Sequence, residues 1–392
     1  MNTPPSGPFR AFAPRLTRVS TPLRGRIIPW LALIIIAFVA VSAWWAAKPS
    51  SLPDRLSDAE FWSLERRLSE PGGHFQIPDN FTSNEPEIGR IFTMLRERGV
   101  QGGVYVGVGP EQNLTYIAAL RPAMAFVIDI RRQAAMQHLM FKAMFELSKD
   151  RADFISLLFS KPRPAALDQT TPIQQIWKAY ASVATDQVAA AANAARIDAH
   201  LAMRHGFTLT LDDSVQLASV MNAFVEFGPG ISTQGGSGGR LQFMANGTTF
   251  ADLTGWSLDA ASQPQSFLST EENFQFVKAL HEKNLIVPVT GDFGGPRTIR
   301  AIGAYLRKRG GTLNAFYLSN VERYLFQDGK QNAFFDNVAT LPASDVSVFI
   351  RPYAFRQPIN AAAQPLCGVG GFLRAAAAGH VRTNDDALAC AQ

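Results

Sequence analysis

Gly102-Gly103-Val104-Tyr105-Val106-Gly107-Val108-Gly109-Pro110-Glu111-Gln112-Asn113 is followed a short way on by Ala123-Met124-Ala125-Phe126-Val127-Ile128-Asp129-Ile130. The first stretch reads as a short apolar strand that breaks into a glycine turn. Residues 111–120 continue as a helix halted by Pro122, and 123–130 is a second apolar run ending in an acid. Strand, turn, helix and strand within about thirty residues make the unit from which parallel sheets are built. Just upstream, residues 85–98 place Ile88, Ile91, Phe92 and Leu95 on one helical face. Acids open that helix, arginines close it, and Gly99 stops it.

Downstream, the rhythm is interrupted and then resumes. From 131 to about 224 the pattern is helical, with breaks at Pro162, Pro164, Pro172 and Gly206. The Ala-rich stretch 172–204 predicts a pair of helices or one long one. Residues 228–239 form a glycine-rich loop, and about 270–283 is another helix. Strands are expected at 285–290, 313–318 and 346–351, with a helix over 296–309. There is no internal repeat. The expected architecture is one doubly wound α/β domain over 59–392, with a large helical insertion at about 132–270.

Composition agrees with a folded domain. The chain has 392 residues, 47% hydrophobic and 18% charged, which excludes a disordered chain. Its net charge of +5 is local: Arg10, Arg15, Arg18, Arg24, Arg26 and Lys48 lie in or beside the first 48 residues, where no acid occurs. Without these six cations the remainder carries about −1, so the domain has no basic footprint for nucleic acid.

Residues 27–47 contain no charge. At about 1.5 Å per residue they reach about 31 Å, enough to cross the hydrocarbon core. Trp30, Trp44 and Trp45 lie near the two ends, where interfacial aromatics are favoured. The expectation is one transmembrane helix rather than a cleaved signal peptide, since the run is long and bulky tryptophans crowd the cleavage position. The arginines before it put a disordered tail, 1–26, in the cytoplasm and the domain outside the cytoplasm, periplasmic in a bacterium, joined by a linker at 48–58. The two cysteines, Cys367 and Cys390, would pair in such an oxidising compartment.

Parallel sheets bind ligands at the carboxyl ends of their strands. Four polar groups are expected there. The turn from Gly107 and Gly109 through Glu111 to Asn113 exposes backbone N–H groups. Asp129 ends the second strand, where a carboxylate can accept both hydroxyls of a ribose. Asp292 follows the third strand, and Ser319 and Asn320 follow the fourth.

This layout resembles the class I S-adenosylmethionine-dependent methyltransferases, which have a Rossmann-like fold. The resemblance covers about 85–150 and 284–351, a little over a third of the chain. It implies that the glycine turn would hold the methionine end of the cofactor, that Asp129 would hold its ribose, and that Asp292 would lie beside its adenine. Asn320 would then face the substrate. Two positions depart from the family turn, with Tyr105 where an acid is usual and Glu111 where a third glycine is usual. The run from Gly102 to Asn113 also resembles the signature of a bacterial family of unknown function.

The segment 78–85 precedes the first domain helix. Either it folds over the cleft with Glu85 pointing in to face the substrate beside Asn320, or Ser83 or Asn84 caps the helix. Gly235-Gly236-Ser237-Gly238-Gly239 fits the hydrolase nucleophile pattern but lacks a strand before it and a helix after it, so it reads as a lid. His200 and His205, five apart, fall on different faces of an α-helix, so no metal site is expected. The sequons at Asn80, Asn113 and Asn246 read as chance matches. Two functional readings stand: a membrane-anchored methyltransferase-like domain binding S-adenosylmethionine or a related nucleoside, or a non-catalytic extracytoplasmic module that binds an envelope component.

Overall fold

The computed structural model describes residues 51–77, 79–86, 88–232, 248–352 and 363–390. The expected tail at 1–26, the span at 27–47, most of the glycine-rich loop and its Ser237 lie outside them. Among the described residues no helix is long and apolar enough to cross a membrane.

Six strands carry the domain: β1 Val104–Val108, β2 Met124–Asp129, β3 Ile286–Thr290, β4 Leu313–Tyr317, β5 Ala343–Ile350 and β6 Leu366–Gly368. They form one sheet in the order β3-β2-β1-β4-β5-β6. The first five are parallel, and β6 returns antiparallel along β5. Strands covered on both faces read as continuous apolar runs, and β2, Met-Ala-Phe-Val-Ile-Asp, is buried throughout. In β1, Val106 pairs with Phe126 on one side and Phe316 on the other. The chain winds outward from β1 in both directions, so the connections part above the ends of β1 and β4 and leave a crevice.

Helices supply the crossovers. In chain order they are α1 Asp58–Leu68, α2 Ile88–Glu97, α3 Gln112–Leu120, α4 Arg132–Leu147, α5 Arg151–Phe159, α6 Ile173–Ala181, α7 Gln187–Ala199 and α8 Leu211–Phe227. Then come α9 Phe250–Gly255, α10 Glu271–Glu282, α11 Thr298–Arg309, α12 Val321–Gln327, α13 Gln331–Val338, α14 Val369–Ala377 and α15 Asn384–Leu388. The Ala-rich stretch is a pair, α6 and α7, because 182–186 breaks it and Asp186 caps the second helix through the N–H groups of Val188 and Ala189.

Helix α4 is the hub of the insertion. A helix apolar on all sides has to be enclosed, and every α4 residue from Ala134 to Phe145 is buried. Phe145 meets Phe154, Phe267 and Phe274, and Phe141 meets Phe154 and Phe224. At the start of α4, Arg132 ties Glu65 of α1 to Asp213 of α8.

The linker expected at 48–58 is docked at its end: Leu56 is buried and donates its N–H to Lys283, and Ser57 forms a capping box with Glu60 that starts α1 at Asp58. After α7 the helix loosens into a single π turn, His200–Arg204.

Cys367 and Cys390 form a disulfide, Cα–Cα 5.5 Å, across a sequence separation of 23. It ties β6 to the segment after α15. Closing a loop of that length stabilises the fold by about 3 kcal/mol through the unfolded chain's lost freedom. Cys367→Ser should therefore lower the urea-unfolding free energy by about that amount. Reducing the wild type should give the same loss, and no change in either sample would sink this role.

Candidate functional site

The crevice above the sheet encloses about 340 Å3, within the size range of small-molecule sites. Its floor comes from the ends of four parallel strands. Gly109, Asp129, Asp292 and Asn320 all line it, as do Tyr317 and Ser319. The other four expected residues lie beneath or behind the wall, and each has a structural partner.

Gly107 makes room within the turn. A Cβ on it would lie 2.0 Å from Asn113 Oδ1 and 2.5 Å from the Tyr105 hydroxyl. Asn113 is fully buried and points into the turn instead of the crevice. Its amide donates to the carbonyls of Val108, Gly109 and Pro110 at 2.9, 3.1 and 2.7 Å, and its oxygen accepts from Tyr105 at 2.9 Å. The glycine turn is thus closed by its own side chains. Gly109, with φ +79, sits where a side chain would be strained. Its carbonyl also meets His138 Nε2 of α4 at 2.9 Å.

Glu111 is also turned inward. Its carboxyl accepts the Ser83 N–H at 3.1 Å to each oxygen, which pins the segment before α2 over the strand ends. Burial pushes the Glu111 carboxyl up to about 8, against the opposing effect of the Ser83 N–H.

Glu85, expected to point into the cleft and face the substrate, does not line the crevice. It accepts from Tyr317 at 2.7 Å and from Ser319 at 2.6 Å. It is buried at the end of β4, one layer behind the crevice. Burial, and then the Glu85 carboxylate, pushes the phenols of Tyr105, Tyr116 and Tyr317 well above the usual range. They therefore stay protonated and able to donate. Glu85 thus positions Tyr317 and Ser319, which do reach the crevice.

Two of the three acids that line the crevice, Asp129 and Asp292, each have a cation beside them. Asp129 receives the Arg131 backbone N–H at 2.9 Å, its Nε at 3.1 Å, and a terminal guanidinium N–H at 2.9 Å on the other oxygen. Both carboxylate oxygens are engaged by a residue two positions on. Asp292 accepts from the Gly294 N–H at 2.9 Å and from Lys330 at 2.6 Å. Sequence reasoning missed both cations. Arg131 was visible next to the second strand, but Lys330 lies 38 residues from Asp292, and only the packing of α12 and α13 brings it there. Also missed was the aromatic wall, where Phe75 meets Tyr324 edge-on at 5.1 Å and Arg131 lies 5.8 Å from the Phe75 ring.

The chain belongs to a protein family described as a domain of unknown function, DUF7790, whose model matches residues 80–206 and 254–365, together more than half of the chain. No curated protein matches it. The matched segments contain every residue of the candidate site from Glu85 to Asn320.

The Glu111 carboxyl gives a pH signature. Its folded pKa of about 8 exceeds the ordinary 4.5, so the folded state binds that proton more tightly than the unfolded chain. Its stabilising contribution is complete below about pH 4.5, declines as pH rises toward about 8, and is gone above that. Glu111→Gln keeps a neutral side chain and should flatten the decline. Urea midpoints for both proteins at about pH 5 and about pH 9 check this. A parallel pH response in the two proteins would refute the assignment.

Proposed function

We propose that this is a methyltransferase-like, Rossmann-like domain that binds S-adenosylmethionine or a related nucleoside-type ligand in the crevice. The observation that carries the reading is the convergence of Gly109, Asp129, Asp292 and Asn320 on one cavity at the reversal point of a parallel sheet. Asp129 would accept the ribose hydroxyls once Arg131 swings toward the ligand's carboxylate. Asp292 would meet the base edge. Phe75, Phe293 and Tyr324 offer flat apolar surface for the ring. Asn320, Ser319 and Tyr317 would face the acceptor, with Glu85 orienting the last two. Methyl transfer needs alignment above all, and groups fixed by a rigid sheet edge suit that demand.

A second reading has its own support. Tyr105 stands where the family has an acid, and with Asn113 it fills the inside of the glycine turn. The Cys367–Cys390 disulfide fits an oxidising compartment. So does the arrangement of five arginines before the apolar run at 27–47, which would anchor the protein in the cell membrane with the domain outside. S-adenosylmethionine is a cytoplasmic cofactor. In that setting the domain would be a non-catalytic module that keeps the crevice for an envelope ligand.

Calorimetric titration of S-adenosylmethionine, and separately of adenosine, into the detergent-solubilised full chain tests the reading. Micromolar binding is expected. Asp292→Asn should weaken it about tenfold or more, as for a lost hydrogen bond to a charged group. Absence of binding by both compounds would remove the nucleoside assignment and leave the second reading. A reporter fused to the C-terminus checks the orientation, and activity confined to the cytoplasm would reverse it.

A further inference from the structure

A second cluster lies at the other end of α4, on a different surface. Residues five apart on an α-helix point about 140° away from each other, which is why His200 and His205 were expected on separate faces. The structure corrects this. The π turn His200–Arg204 closes with the His205 N–H on the His200 carbonyl at 3.2 Å, and the wider turn brings the two imidazoles to one side. Such turns are rare and recur at functional sites. Both rings aim Nε2 at a single atom, Glu146 Oε2, at 2.7 Å and 2.6 Å.

The surroundings are those of a built site. His205 Nδ1 lies 2.7 Å from Asp58 Oδ1, and that same oxygen accepts from Asn284 at 2.9 Å. A carboxylate on the outer nitrogen orients the imidazole and turns Nε2 inward, the arrangement behind most metal-ligating histidines. A cation placed between the two rings and the Glu146 oxygen would be met by all three side chains at once. The other Glu146 oxygen is held at 2.6 Å by the buried Lys142, which also donates to the His281 carbonyl at 2.6 Å. Oε2 alone is therefore presented to the histidines. Their ligating atoms, one from each of Glu146, His200 and His205, lie within 4.8 Å of one another. All three residues, with Asp58, line a cleft of about 480 Å3, which gives an ion an entry path and an open coordination position.

We propose that Glu146, His200 and His205 bind a divalent transition-metal ion, zinc, with Asp58 orienting His205. Two imidazoles and one carboxylate suit zinc, and the remaining position would take water from the cleft. Binding at about 2.0–2.2 Å requires only a small outward movement of side chains already aimed at one point. The ion would clamp three parts of the domain: the start of α1 through Asp58, the end of α4, and the π turn. This site is independent of the crevice. Arg132, at the crevice end of α4, and Glu146 are about 21 Å apart along the helix.

The test uses the full chain, stripped with a chelator and titrated calorimetrically with zinc chloride. The expected result is about one equivalent bound at micromolar affinity or tighter. His205→Gln and Glu146→Gln should each weaken binding at least tenfold, as expected when one ligand of a set is lost. Cobalt(II) added to the wild-type chain gives a readout that needs no variant. An intense visible band of a low-coordinate site supports the proposal, and the weak spectrum of the hydrated ion overturns it. Zinc binding unchanged in both variants would equally overturn it and leave the cluster as an ion-pair network.

Discussion

Helix α4 has no solvent-facing side along most of its length. That constraint organises the rest of the domain. A sixteen-residue helix buried from Ala134 to Phe145 needs cover from every direction. The sheet covers one side, and α5, α8 and α10 cover the others through a connected set of phenylalanine rings. Its polar residues contact the elements on either side of it. At the N-terminal end, His138 holds the glycine turn, and Arg131, just before the helix, holds Asp129. At the C-terminal end, Lys142 and Glu146 face the two histidines. The two surfaces with chemical potential are the two places where this helix emerges.

The crevice shows how a parallel sheet can be read both rightly and incompletely from its sequence. Periodicity located the strands within a residue or two, except β5, which starts earlier than the apolar residues suggest because its first half is exposed. β6 was not visible at all, since three residues make no pattern. Position along a strand told which residues stand at the sheet's edge. It did not tell which way they point. Glu111 and Asn113 sit at the expected place but turn inward, because a tight turn must first satisfy its own carbonyls and N–H groups. The chain does this with side chains that a ligand would otherwise meet.

The histidine pair escapes sequence reading for a different reason. α-Helical spacing separates the two residues, and a single π turn changes the angle between them. Nothing in Ala-His-Leu-Ala-Met-Arg-His-Gly announces that turn; it arises where α7 ends and the chain must swing toward α8. Likewise, a Pro- and Ser-containing stretch makes Asp58 look like part of a linker. It belongs to the domain because Leu56 is buried and Ser57 caps the first helix. Local composition cannot report contacts made 226 residues away, which is how far Asn284 lies from Asp58.

The disulfide between Cys367 and Cys390 has a consequence for turnover of the protein. It encloses α14 and α15 in a covalent loop at the sheet's antiparallel edge. A protease that nicks the exposed connection around Gly379, where φ is +75, would cut the backbone without releasing the C-terminal fragment. The clipped molecule would keep β6 paired with β5 and run as a single species until a reductant separated the two pieces. In an oxidising compartment, then, damage at this edge would be silent, and exposure to thiols would reveal it.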